Sequence, residues 1–165
     1  MDLSAFIAAI DTHSHAPADA AQIARFEHEL GYSLPADYRA FLQACAGGRS
    51  TDQPDFNWHN GSWAGCVDTV GGLGEDARYS IATQRRAPSW PMKPELLWIM
   101  SDHGGNPICL RLYGANAGAL YFLDHEVAPE DEDEWSLEEA ESDDWGYVLP
   151  LADSFSAFIA GLYQK

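Results

Sequence analysis

Apolar and polar positions alternate along this chain with two different spacings, and the change from one to the other marks out its elements. Leu3, Phe6, Ile7 and Ile10 fall at helical spacing, with Asp2 placed to cap the stripe. Asp19 opens a second helical segment, and Gln22 three residues on makes a capping box. Ile23, Phe26 and Leu30 share one face of it, and Gly31 is placed to end it. In LPADYRAFLQACAGG, Tyr38, Phe41, Leu42 and Cys45 repeat at i, i+3, i+4 and i+7. Pro35 suits the first helical position, Asp37 suits the positive end of the dipole, and Gly47–Gly48 stops the helix.

From residue 49 to residue 94 glycine, asparagine, tryptophan and short apolar pieces alternate, which predicts loops and short strands. LLWIM (96–100), ICLRLYG (108–114) and ALYFLDH (119–125) then read as strands. In the second, Ile108, Leu110 and Leu112 alternate with Cys109, Arg111 and Tyr113. GANAG between the second and third is a five-residue hairpin connection. YVLPL is a last strand, leading to a helix capped by Asp153 or Ser154 with Phe155, Phe158, Ile159 and Leu162 as its stripe. No repeat or linker splits residues 1–165, which read as a single domain. The order predicts an α+β fold: a central, mostly antiparallel sheet with the N-terminal helices and a C-terminal helix packed on it. Tight hairpin connections count against a parallel, doubly wound sheet.

Composition changes the picture through charge. The formal net charge is -17. Residues 126–144 hold eleven acids and no Lys or Arg, leaving fifteen acids against nine bases elsewhere, a balance of -6. A chain this acidic is expected to repel nucleic acid and anionic membranes and to attract a basic protein. Two readings of the tract stay open. One is a solvated loop, the usual fate of like-charge runs. The other is a landing site for a basic partner, with Trp135 and Trp145 as aromatic anchors among the charges. Its candidate contacts are Glu130, Asp131, Glu132, Asp133, Glu134, Trp135, Asp143, Asp144 and Trp145, with the surroundings of Trp58 and Trp63 as the fallback.

Cys45, Cys66 and Cys109 are few, odd in number and never paired as C-x-x-C, which speaks against a disulfide framework or structural zinc and fits a reducing compartment. The N-terminus begins with an acid where a signal peptide needs positive charge, and no apolar run approaches a membrane span. A cytoplasmic location is the expectation.

HGGNPICL (103–110) places a histidine beside two glycines. A phosphate loop would open a helix, but here a strand follows, so the stretch reads as a turn with Asn106 and Pro107 shaping it. DTHSH (11–15) resembles the H-x-H pair of metal-dependent amidohydrolases, but such barrels run to about 250 residues. It reads as a solvated connector. DHE (124–126) reads as a polar strand end, with only Asp124 and Glu126 on one face. There is no G-x-S-x-G, and no cysteine carries a nucleophile signature. Neither catalysis nor a cofactor is expected.

Three blocks in order resemble the SUKH superfamily. FEHELGYSLPADYRAFLQACAGG resembles its N-terminal helix pair. ELLWIMSDHGGNPICLRL followed by GALYFLDHE resembles its central strands and G-G-N turn, and LADSFSAFIAGL its closing helix. VDTVGGLG fits the strand and glycine turn between the first two blocks. The resemblance spans about residues 23–162 and implies an α+β fold with a mixed or antiparallel sheet. It implies a non-catalytic, cytoplasmic, protein-binding domain. Many bacterial members are immunity proteins that bind a cognate toxin, often a nuclease, one to one; others are regulators, including one of fungal cell-wall synthesis. Gly104, Gly105 and Asn106 match family positions with a structural role, whereas residues 130–144 depart from the pattern as an elaboration.

The expectation is therefore an immunity protein that neutralises a toxin, in the first instance a nuclease, by direct binding. A regulatory scaffold for a housekeeping protein is the alternative. A small metal-dependent hydrolase using His13, His15, His103 or His125 is a third.

Overall fold

A computed structural model describes residues 1–58, 61–130, 135–140 and 146–164. Local capping sets the helix starts. In α1 (Leu3–Ala8) the Asp2 carboxylate accepts from the Ala5 amide at 2.8 Å. In α2 (Ala20–Leu30) the Asp19 and Gln22 side chains cap reciprocally, and Gly31 closes the helix in a left-handed conformation. α3 (Ala36–Ala44) starts one residue after Pro35, which occupies the cap position. Glu27 joins these two helices by accepting from the Leu34 amide and from Arg39 Nη2, both at 2.7 Å.

The strands are β1 (Ile10–Asp11), β2 (Gly48–Ser50), β3 (Asp55–Asn57), β4 (Trp63–Val70), β5 (Leu96–Asp102), β6 (Pro107–Arg111), β7 (Leu120–Leu123) and β8 (Val148–Ala152). They form an antiparallel sheet in the order β1-β2-β4-β5-β6-β7-β8, with β3 paired to β4 beside that path. Leu97 faces Leu110 across β5 and β6, and Cys109 faces Tyr121 across β6 and β7. The expected α+β architecture is what the chain adopts. α6 (Phe155–Gly161) takes Ser154, not Asp153, as its cap, with the Ala157 amide donating to Ser154 Oγ at 3.1 Å.

The sheet is covered on both faces. On one, Phe6, Tyr38, Phe41 and Phe155 bring α1, α3 and α6 together, and Phe56, Phe122 and Phe158 continue the aromatic layer. On the other, Cys109 Sγ lies 3.6 Å from Met92 Sδ, and Tyr147 donates its hydroxyl to the Pro91 carbonyl at 2.8 Å. Every residue of β6 is therefore buried, Cys109 and Arg111 included, so the in-and-out alternation read from residues 108–113 does not separate core from solvent. Burying one Leu or Ile contributes about 1.5–3 kcal/mol, and Leu97, Ile99 and Leu110 are all fully buried.

Between residues 49 and 94 the structure holds more regularity than the pattern suggested. β4 runs for eight residues, and α4 (Ile81–Arg86) follows, capped by Ser80 Oγ. α4 buries only Ile81, too little apolar surface to leave a stripe in the sequence. Ile10 belongs to β1, where it pairs with Ser50, not to the first helix. Two of the chain's three glycine pairs, Gly47–Gly48 and Gly71–Gly72, meet backbone to backbone. A Cβ on Gly72 would stand 1.9 Å from the Ala46 carbonyl oxygen, and one on Gly47 2.6 Å from the Gly72 nitrogen.

Candidate partner-binding surface

The turn from β5 to β6 is built by Asn106. The Gly105 amide donates to the Asp102 carbonyl at 3.1 Å, with Gly105 at φ 86°, a conformation that costs glycine nothing. The Asn106 amide and Nδ2 donate to the two Asp102 carboxylate oxygens at 2.8 and 2.9 Å. Its Oδ1 accepts from the His125 amide at 2.9 Å and also touches His125 Nδ1. The glycines lead into a strand, so HGGN is a turn, and its asparagine ties the D-H-E segment to it. That segment has already left β7: Asp124 caps a short 3-10 turn, His125–Val127, by accepting from the Glu126 amide at 3.1 Å. Strand alternation does not govern it.

The histidines meet separate neighbours. His13, in a left-handed conformation, lies 3.4 Å from Asp11 Oδ2 and 3.2 Å from the Tyr79 hydroxyl. His103 is 3.7 Å from Asp68 Oδ1, and His125 stacks on Trp90 with centroids 4.8 Å apart. His15 is exposed. Among the described residues no three His, Cys, Asp or Glu side chains converge in a metal-binding group. Burial pushes the Cys45 and Cys109 thiols above their ordinary pKa, which suppresses the nucleophilic thiolate.

The acidic tract is fastened to the core at its centre. Leu137, at the start of α5 (Leu137–Ala140), is 1% exposed, and α5 packs against β8. Trp135 is half-buried, edge-on to Tyr147 at 5.3 Å, with the Lys93 ammonium 5.1 Å above its ring. Glu138 reaches Arg111 Nη2 at 3.6 Å, and Glu130 is exposed. Asp131, Glu132, Asp133, Glu134, Asp143, Asp144 and Trp145 lie outside the described residues.

Sequence reading missed three contributors. Lys93 and Arg111 bring positive charge under the tract, Arg111 from a buried position in β6; Gly114 is the local clue, because a Cβ there would stand 2.7 Å from Arg111 Nη2. The third is a cleft of about 270 Å³ walled by Trp90 and Trp98, with Asp68 and Asp102 in its lining. These residues are scattered between positions 68 and 102 and share no motif.

The family model described as SMI1 / KNR4 family (SUKH-1) matches residues 17–161. The chain belongs to that family. The SUKH-1 match begins just before α2 and ends with α6, so it takes in the helix pair, the N-terminal glycine pair, the Asn106 turn and the closing helix. No curated protein matches the chain. Membership of SUKH-1 is consistent with a non-catalytic protein of immunity or regulatory type. Among the described residues no helix is long and apolar enough to cross a membrane.

Proposed function

We propose that this SUKH-1 protein is an immunity protein that neutralises a basic toxin domain, a nuclease in the first instance, by occupying its substrate-binding surface. The observation that carries the reading is the concentration of eleven acids in residues 126–144, on a segment fastened to the core through Leu137 and Trp135. Fastening matters because the part around Trp135 and Leu137, already packed on the core, loses less entropy on binding than a free tail. A nuclease grips phosphate with Lys and Arg, so the surface it offers is complementary to this tract. Opposite charges steer association to about 10⁸–10⁹ M⁻¹s⁻¹ at low salt. Inhibition is then steric and electrostatic, without turnover, and the contacts are Glu130, Asp131, Glu132, Asp133, Glu134, Trp135, Asp143, Asp144 and Trp145.

The test is co-expression with the product of the adjacent reading frame. Rescue of growth together with one-to-one co-purification supports the reading. A neighbour that is harmless when expressed alone, with a housekeeping protein captured instead, replaces it with a regulatory scaffold.

A further inference from the structure

The cleft beside the Asn106 turn has its own chemistry, and its described lining residues, between positions 68 and 107, lie outside the acidic tract 126–144. We propose that it receives an arginine side chain of a basic protein partner. This inference rests on the partner being basic, as the proposed function has it, but not on the tract being the interface.

Three features favour this occupant. The volume, about 270 Å³, falls short of the roughly 300–1,000 Å³ of sites for cofactors and drug-sized ligands, and suits one long side chain. Trp90 and Trp98 supply indole walls, the rings that attract cations best. Trp98 is held in place by donating Nε1 to Ser101 Oγ at 2.8 Å, and Trp90 by stacking on His125.

The third feature is the carboxylates. Asp102 accepts from two neutral groups of Asn106, one on each oxygen, and among the described residues it has no cationic partner. A carboxylate offers about four acceptor positions, so each Asp102 oxygen keeps one. Asp68 is matched by Arg49 at 3.1 Å and by Gln53, both on Oδ1, while Oδ2 keeps a position beside the Thr69 hydroxyl. Among the described residues Arg78 is the Lys or Arg that lines the cleft, and its guanidinium is clamped by Asp76 at 2.6 and 3.1 Å; His103 lines it too, 3.7 Å from Asp68 Oδ1. The surplus charge is therefore negative. A guanidinium suits this geometry better than an ammonium because it is planar, stacks on indole, and forks toward carboxylate oxygens.

The test is titration of the full chain with N-acetyl-arginine methylamide, following the indole N–H resonances by ¹⁵N-correlated NMR, with the lysine analogue in parallel. A saturable shift confined to Trp90 and Trp98 is expected, with the arginine probe binding at least about fivefold more tightly than the lysine probe. Asp102→Asn weakens binding by about fivefold or more. Trp90→Leu, which leaves the turn's hydrogen bonds alone, weakens it by about threefold. No saturable shift, equal affinity for lysine, or unchanged affinity in both variants when their circular dichroism is native overturns the proposal. The probe reads the cleft alone, so failure of toxin binding with probe binding intact sinks the immunity reading and leaves this one standing.

Discussion

Asn106 and His125, nineteen residues apart, are joined by a hydrogen bond from the His125 amide to the Asn106 side-chain oxygen at 2.9 Å. The same asparagine bonds both oxygens of Asp102. One side chain therefore closes the β5–β6 turn and fixes where the chain leaves β7. Asparagine fits because it is donor and acceptor at once.

Asn106→Ala strips a donor and an acceptor from partly buried partners and is expected to cost about 1–3 kcal/mol. Asn106→Asp keeps the acceptor but sets a second carboxylate against Asp102, so it does no better. Urea unfolding of both variants checks this. Losses below about 0.5 kcal/mol in each would show the turn to be held by its glycines alone.

The crossing of the glycine pairs gives a sharper contrast. Gly72→Ala drives a methyl group into the Ala46 carbonyl and belongs with the exceptional losses, above about 4 kcal/mol, or yields no folded protein. Gly161→Ala, with nothing within 4 Å of the new carbon and a place in α6, is expected to be neutral or to stabilise by up to about 1 kcal/mol. Thermal melts of the two proteins read the difference directly.

Leu137→Ala removes the fastening of the acidic tract. At 1% exposure the cost is expected to be about 2–5 kcal/mol, as for other buried leucines. A surface-like change in denaturation midpoint would mean that the tract is not fastened through this residue.

Stability should fall in alkali. Burial raises the pKa of Cys109, Tyr147 and Tyr38, and the Tyr38 hydroxyl has no hydrogen-bond partner among the described residues. Above the ordinary thiol pKa of 9.0 the unfolded chain releases protons that the folded chain keeps. The unfolded state then binds fewer protons, and the free energy of unfolding falls with rising pH, by up to about 1.4 kcal/mol per pH unit for each such group. Urea titrations at about pH 7 and about pH 10 measure the slope, which Cys109→Ala should reduce. A flat profile would contradict the burial of these groups.

Helix starts were legible because caps are local: Asp2 and Asp19 act on amides three residues away. The β5, β6 and β7 runs were legible because their apolar residues are contiguous. Burial of both faces of β6 was not, because Arg111 looks solvated until Tyr113 and Glu138 are seen beside it. Leu137 hid for a related reason, as a lone aliphatic residue between Ser136 and Glu138 within the acidic run. The cleft was invisible, since Asp68, Trp90, Trp98 and Asp102 become neighbours only through strand pairing and the segment after α4.

The association rate with the adjacent frame's product, measured by stopped flow between about 0.05 and about 0.5 M salt, tests the role of the acidic surface most directly. The unaltered chain should slow by about tenfold or more across that range, and a variant carrying Glu130→Gln, Glu132→Gln, Glu134→Gln, Asp143→Asn and Asp144→Asn should start slower and change far less. Identical rates and identical salt slopes for the two chains would contradict an acidic tract that steers and holds the partner.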